Sequence, residues 1–208
     1  MVLILVVVID LFILASSRLK AVIRATAAQG ALLSLVPVLL AAKVEVGHVV
    51  ALALGALVVK GAVIPWMLNW AIRETAIRRE MEPILGFVPS LLLGGLGAAL
   101  AFALSSDLPL PAPERHTLLV PTALSTVWAG LLLVVARRKA VSQVIGFLVL
   151  ENGVFLFGLL ISDFMPAMVE AGVLLDLLAA VFVMGIVMFD INREFSSLDT
   201  GKLSALKD

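Results

Sequence analysis

The sequence predicts an all-α integral membrane protein with about seven transmembrane helices. Of the 208 residues, 62% are hydrophobic and only 14% are charged, whereas about a quarter of the residues in an average soluble domain are charged. The mean hydropathy is +1.16. Apolar runs of roughly the 20 residues that one membrane span requires recur along the whole chain. These three observations predict a multi-pass protein of the lipid bilayer, and we expect it in the cell inner membrane.

The apolar runs and the breakers between them define the predicted spans. The breakers include SSRLK, the charged run RETAIRREMEP, the Pro-rich SSDLPLPAPERH and RRK. The spans fall near residues 1–16, 25–42, 48–70, 84–104, 117–136, 141–162 and 167–190. The first run lacks the positive n-region of a signal peptide, so we expect it to be retained as a helix. We divide the chain into residues 1–116, with four spans and a Pro-rich outer loop, and residues 117–208, with three spans and a tail.

The positions of the basic residues predict the orientation. Alternate loops carry three Lys or Arg residues each, whereas the loops on the opposite side carry only Lys43 and Arg115. Cytoplasmic loops are enriched in Lys and Arg. The sequence therefore predicts an N-terminus outside and a C-terminus in the cytoplasm.

Composition argues against several kinds of function. Lys+Arg and Asp+Glu balance at 15 each, and there is no Cys. The balance gives no reason to expect nucleic acid as a partner, and without Cys this chain cannot ligate iron–sulfur clusters. The two imidazoles, His48 and His116, are not at a metal-ligand spacing. Because no triad, phosphate loop or catalytic carboxylate pair is found, we expect no catalytic, metal or cofactor-binding site in this chain.

Four charged residues interrupt the predicted spans. They are Asp10, Lys60, Glu151 and Asp176. At the rise of an α-helix, Glu151 lies about 15 Å, Asp176 about 14 Å and Lys60 about 18 Å from the start of its span. All three therefore fall near the middle of a hydrocarbon core about 30 Å thick, as does Asp10 if its helix begins at Met1. A shared depth and partial burial, which eases changes of protonation, make these four residues candidates for a proton relay.

A structural interpretation of the same residues remains open. Glu151 and Asn152 can hold helices together by a hydrogen bond, which typically contributes less than about 1–2 kcal/mol in membranes. Lys60 can be a counter-ion to Asp10, Glu151 or Asp176. Other polar or small residues are assigned to packing. Gly146 and Gly153 permit close helix contact, and Gln29 and Gln143 form packing hydrogen bonds or hold water.

Several stretches carry a family resemblance. The runs ARRKAVSQVIGFLVLENG, LLDLLAAVFVMGI and SSLDTGKLSALKD, with VVKGAVIPWML in the third span, resemble the hydrogenase-4 component E family. These proteins are membrane subunits of formate hydrogenlyase-type and other group 4 nickel–iron hydrogenase complexes. The resemblance implies antiporter-like membrane subunits, a membrane anchor subunit and a peripheral hydrogenase arm as partners. It also implies that a nickel–iron centre and iron–sulfur clusters are held by those partner subunits.

The last three spans are similar to the small K (4L) subunit of respiratory complex I. Ile145-Gly146 matches an Ile-Gly pair of that subunit, and Glu151 and Asp176 stand for its two intramembrane carboxylates. Two departures are evident. An ungapped match places the first carboxylate on Leu148, one turn before Glu151, and the second carboxylate is Asp instead of Glu.

These observations lead to one main functional prediction and three alternatives. The main prediction is a membrane-arm subunit of a respiratory, group 4 hydrogenase-like complex, in which buried carboxylates contribute to proton or ion translocation coupled to electron transfer in the peripheral arm. The first alternative is a scaffold that joins antiporter-like modules without moving protons. The others are a subunit of a multisubunit cation/proton antiporter and a stand-alone secondary transporter, to which a possible internal repeat lends some support.

Overall fold

The computed structural model describes residues 1–40, 46–74, 83–105, 118–161 and Gly185. Within these ranges every regular element is a helix, and the short connections between helices contain one isolated antiparallel bridge between Pro83 and Arg137. The helices are α1 (Val2–Ala15), α2 (Leu19–Leu40), α3 (Val46–Val58), a π-helical segment (Val59–Val63), α4 (Ile64–Glu74), α5 (Phe87–Ser105), α6 (Leu119–Ala136) and α7 (Ala140–Ile161). Helix α3, the π segment and α4 are continuous and form one rod. The all-α prediction is therefore confirmed for this part of the chain.

Five of these rods are long and apolar enough to cross a membrane. They contain the stretches Leu19–Leu39, Ala53–Trp70, Phe87–Ser105, Leu119–Ala136 and Val141–Leu159. Helix α1 has 14 residues and is about 21 Å long, which is shorter than the hydrocarbon core. The seventh predicted span, apart from Gly185, lies outside the described residues, so the count of seven stays a prediction, as does the orientation.

The start of α2 differs from the prediction. The helix begins at Leu19 instead of near residue 25. Leu19, Val22 and Ile23 are buried, while Lys20 and Arg24 are exposed on the opposite face. Long basic side chains can lie along a helix and place their charged ends in water. The basic residues therefore belong to the first turns of α2 and not to a connection before it.

The π-helical segment interrupts the third predicted span, which the sequence presented as a uniform helix. Its end is marked by the bond from the Ile64 backbone N–H to the Val59 carbonyl, five residues earlier. Pro65 follows directly. A proline inside a helix offers no N–H, and its ring collides with the carbonyl four residues before it. Widening the helix by one residue relieves this collision, and Lys60 lies inside the widened turn.

Helices α6 and α7 form the most extensive helix contact of the described bundle, with glycines at the interface. A Cβ atom added to Gly153 would lie 2.6 Å from the backbone nitrogen of Val127, and one added to Gly146 would lie 2.8 Å from that of Val134. Both distances are shorter than any real Cβ contact. The two glycines thus let the helix backbones approach closely, as small residues do in membrane bundles.

Arg137 holds one end of the bundle together. It belongs to a predicted cytoplasmic loop, yet its side chain is fully buried. Its guanidinium donates to the carbonyl oxygens of Leu14 at 2.8 Å and Leu85 at 3.2 Å, and it lies 4.8 Å from the centre of the Phe87 ring. Burial lowers the pKa of Arg137, but a guanidinium keeps its charge in proteins. Arg137 therefore joins three chain segments at one end of the bundle: the end of α1, the segment before α5 and the turn after α6. The sequence predicts that all three lie on the cytoplasmic side.

Candidate functional site

The buried polar side chains of five helical elements meet inside the bundle. None of them is more than 7% exposed. We call this group the polar cluster, and its members are Asp10 from α1, Gln29 from α2, Lys60 from the π segment, Thr126 from α6, and Glu151 and Asn152 from α7.

Asp10 forms one end of the polar cluster. The Thr126 hydroxyl donates to its Oδ2 atom at 2.7 Å, and the Gln29 amide nitrogen donates to its Oδ1 atom at 2.6 Å. Each carboxylate oxygen thus has a protein donor, and short bonds to a charged acceptor are among the stronger hydrogen bonds. Donors from two other helices stabilise negative charge on α1.

Two side-chain amides join Asp10 to Lys60. The Asn152 nitrogen donates to the Gln29 oxygen at 3.3 Å, and the Lys60 ammonium donates to the Asn152 oxygen at 2.9 Å. We call Gln29 and Asn152 the amide bridge. An ammonium can only donate and a carboxylate can only accept, so the charges at the two ends require this orientation of both amides. The amides lie head to tail between opposite charges, an order that strengthens each bond.

Lys60 also faces Glu151. The distance from its Nζ atom to the Oε1 atom of Glu151 is 3.5 Å, which is longer than a direct hydrogen bond. The ammonium lies 5.0 Å from the centre of the Phe155 ring, within the range of a cation–π contact. Of the three counter-ions that the sequence allowed for Lys60, the structure places Glu151 next to it, and Asp176 lies outside the described residues. Asp10 is reached only through the amide bridge.

A small cavity adjoins this ion pair. Its volume is about 20 Å³, and its polar lining consists of Thr26, Lys60, Glu151 and Asn152. Gly30, Ile64 and Leu148 form the rest of the lining. A Cβ atom on Gly30 would lie 2.8 Å from the Cβ atom of Lys60, so a larger residue at position 30 would push the lysine stem away. Among the described residues, the Thr26 hydroxyl is buried without a hydrogen-bond partner.

The structure brings most of the predicted site residues together. Asp10, Lys60, Glu151 and Asn152 belong to one connected cluster, whereas Asp176 lies outside the described residues. Gly146 and Gly153 lie at the α6–α7 contact described above.

The sequence did not identify Thr126 or Thr26 as site residues. Threonine is common in apolar helices because its hydroxyl can bond to the backbone of its own helix, so it gives little signal by itself. The charge at Asp10 was the available signal, since a buried carboxylate requires donors from neighbouring helices. In the part of the chain that the structure describes, no group of three or more His, Cys, Asp or Glu residues could hold a metal ion.

The fold and the polar cluster define a membrane protein of several apolar helices that share a buried polar site. Comparison of the sequence with known proteins identifies the family. The uncharacterized protein Rv0085 of Mycobacterium tuberculosis (strain ATCC 25618 / H37Rv) is 34% identical over 191 residues, which cover 91% of this chain and 87% of that protein. The chain belongs to the same family as Rv0085.

Hydrogenase-4 component E of Escherichia coli (strain K12) is 28% identical over 152 residues, which cover 73% of this chain and 70% of that protein. Component E of Shigella flexneri matches to the same extent. This homology supports the hydrogenase-4 component E family. No family model and no solved structure matches the chain.

Proposed function

We propose that this chain is a membrane subunit of a group 4 hydrogenase-like complex and contributes to proton translocation coupled to electron transfer in a peripheral arm. The homology to a protein named as a component of hydrogenase-4 supports membership of such a complex. The partners would be antiporter-like membrane subunits, an anchor subunit and the peripheral hydrogenase arm. The nickel–iron centre and iron–sulfur clusters would belong to those partners.

The observation that carries the proposed translocation role is the buried Lys60–Glu151 pair. Ionisable side chains inside a membrane are expensive and commonly mark ion or proton pathways. The pair is neutral overall whether it exists as ammonium and carboxylate or as amine and carboxylic acid. A proton can therefore move from Lys60 to Glu151 without changing the net charge of the cluster. Such a pair can take part in a relay without a large electrostatic penalty.

Asp10 has a different role in this proposal. Its connection to Lys60 runs through two amides, and an amide side chain carries donors and acceptors but does not titrate in the ordinary pH range. The amide bridge therefore transmits the effect of charge and not the proton itself. Asp10 accepts the hydrogen bond that orients Gln29, and through Gln29 and Asn152 it thereby positions the Lys60 ammonium.

The resemblance to the complex I K subunit fits the same region. Leu148, on which the K-subunit carboxylate falls in an ungapped match, lines the same cavity as Glu151. A displacement by one helical turn therefore keeps the carboxylate beside the cavity. By the same resemblance, Asp176 would supply a second carboxylate along the proton path.

A scaffold without proton transport is the second candidate function. The network of bonds from Thr126 through Asp10 to Lys60 favours it, because satisfied polar networks fix the register of packed helices. The buried Arg137 side chain also holds helix ends together through its bonds to the Leu14 and Leu85 carbonyls. In a scaffold, loss of a cluster residue should lower the yield of assembled complex instead of the proton yield per electron.

The two functions are separated by replacing Glu151 with Gln in the assembled complex. The proposed function predicts fewer protons translocated per electron pair while electron transfer continues. Ser142→Ala is a matched control, because Ser142 is also buried in α7 and its hydroxyl has no hydrogen-bond partner among the described residues. Undiminished translocation by an intact Glu151→Gln complex would contradict the relay role. Recovery of the chain without nickel–iron or iron–sulfur subunits would contradict membership of the complex.

A further inference from the structure

We propose that the cavity between α2, the π segment and α7 is a binding site for a single water molecule, held by Thr26, Lys60 and Glu151. The water would bridge the lysine ammonium and the glutamate carboxylate. The binding of the water is inferred from the cavity and its lining and does not depend on the proposed function. Its part in proton exchange rests on the proposed function.

The size of the cavity matches one water. A cavity needs about 10–15 Å³ of space to hold a water molecule, and polar partners must be available to it. The observed volume is about 20 Å³. The site therefore has room for a water molecule.

The chemistry of the lining selects water over an ion. Lys60 repels a cation and Glu151 repels an anion, and the two charges lie only 3.5 Å apart. A neutral molecule that both donates and accepts hydrogen bonds fits such a lining. Water can accept from the lysine ammonium and donate to the glutamate carboxylate, and its second hydrogen can reach a hydroxyl oxygen.

Thr26 supplies the independent observation. Its side chain is 7% exposed, it lines the cavity, and its hydroxyl has no hydrogen-bond partner in the described ranges. A buried hydroxyl without a partner is unfavourable, and buried polar groups are commonly satisfied by ordered water. A water bonded to Thr26 satisfies this hydroxyl and is fixed beside the ion pair.

The bridging water gives the pair a route for a proton. The 3.5 Å separation is long for direct transfer. The Lys60 ammonium can release a proton to the water as the water releases one to the Glu151 carboxylate. The products are a neutral amine, a carboxylic acid and an unchanged water, so charge and protons balance without any other reactant.

The binding site is tested by infrared difference spectroscopy of the full chain in lipid, recorded as the pH is changed in ordinary water and in ¹⁸O-labelled water. We expect an O–H stretching band of a bound water that shifts with the label in the parent protein. Thr26→Val, which has nearly the same shape, should lose this band. Thr26→Ser, which retains the hydroxyl, should keep it. Absence of the band from the parent protein, or its survival unchanged in Thr26→Val, would overturn the site.

The role in proton exchange is tested separately in the assembled complex. Thr26→Val should lower the protons translocated per electron pair, and Thr26→Ser should not. If Thr26→Val loses the water band but translocates normally, the bridging role is wrong although the water site stands. If Glu151→Gln also translocates normally, the proposed function itself fails. The spectra of the parent protein, Thr26→Val and Thr26→Ser as isolated chains decide the water site even if Thr26→Val does not assemble into the complex.

Discussion

The ion pair inside the bundle predicts a specific pattern of stability in a double-mutant cycle. Lys60→Met removes the ammonium that lies 3.5 Å from Glu151 and donates to Asn152 at 2.9 Å. The remaining carboxylate is only 3% exposed, and breaking a buried ion pair costs about 3–5 kcal/mol. We therefore expect Lys60→Met to lower the free energy of unfolding by about that amount.

Removing the second charge should recover part of this loss. In Lys60→Met/Glu151→Met neither charge of the pair remains, and among the described residues the Asn152 oxygen loses its Lys60 donor. An unsatisfied buried acceptor costs about 1–3 kcal/mol. The double variant should therefore be about 2 kcal/mol more stable than Lys60→Met.

The assay is reversible unfolding of the full chain in lipid–detergent micelles. The parent protein, both single variants and the double variant are compared under identical conditions, so that the coupling energy is obtained from the cycle. Strictly additive losses would refute the view that Lys60 and Glu151 compensate each other's charge.

Two further predictions concern helix packing and the Asp10 end of the cluster, and each has a control on the same helix. Gly153→Ala should destabilise the chain by about 1–3 kcal/mol because its methyl group meets the α6 backbone. Gly158→Ala, where no atom of the described residues lies within 4 Å, should be neutral or stabilise by up to about 1 kcal/mol; equal thermal unfolding of the two variants would contradict the close contact. Thr126→Val should cost about 1.5–3 kcal/mol because Asp10 loses a donor. Thr122→Val should be neutral in the same denaturation assay, since the Thr122 hydroxyl has no partner among the described residues, and comparable losses would contradict the assigned bond.

Hydrophobicity along the chain predicts the later helices well. The predicted spans 84–104, 117–136 and 141–162 correspond to α5, α6 and α7 within a few residues, because the length of an apolar run sets the length of a membrane helix. The start of α2 was missed, since its first turns combine buried apolar residues with exposed basic ones. The π segment could not be placed from the sequence, because Pro65 indicates a distortion without saying how the helix absorbs it.

The sequence predicted most residues of the candidate site but not the hydrogen bonds and ion pair that join them. Asp10, Lys60 and Glu151 stand out because charges are rare in apolar helices. Which lysine faces which carboxylate depends on the rotation of each helix, and one extra residue in the π segment rotates the helix after it relative to the helix before it by roughly 100°. The amide bridge between the two ends therefore emerged only from the packed structure. Arg137 lies in the connection after α6, as the sequence predicts. Its complete burial could not be predicted from the count of charges, because it depends on how the helix ends pack.

The most direct test of the central claim is the protonation state of Glu151 while the assembled complex turns over. Time-resolved infrared spectroscopy can follow the C=O stretch of a protonated carboxylic acid, and Glu151→Gln identifies which band belongs to this residue. We predict that the Glu151 band appears and disappears as electrons pass through the peripheral arm. A Glu151 side chain that keeps one protonation state throughout turnover would contradict a proton-exchanging Lys60–Glu151 pair.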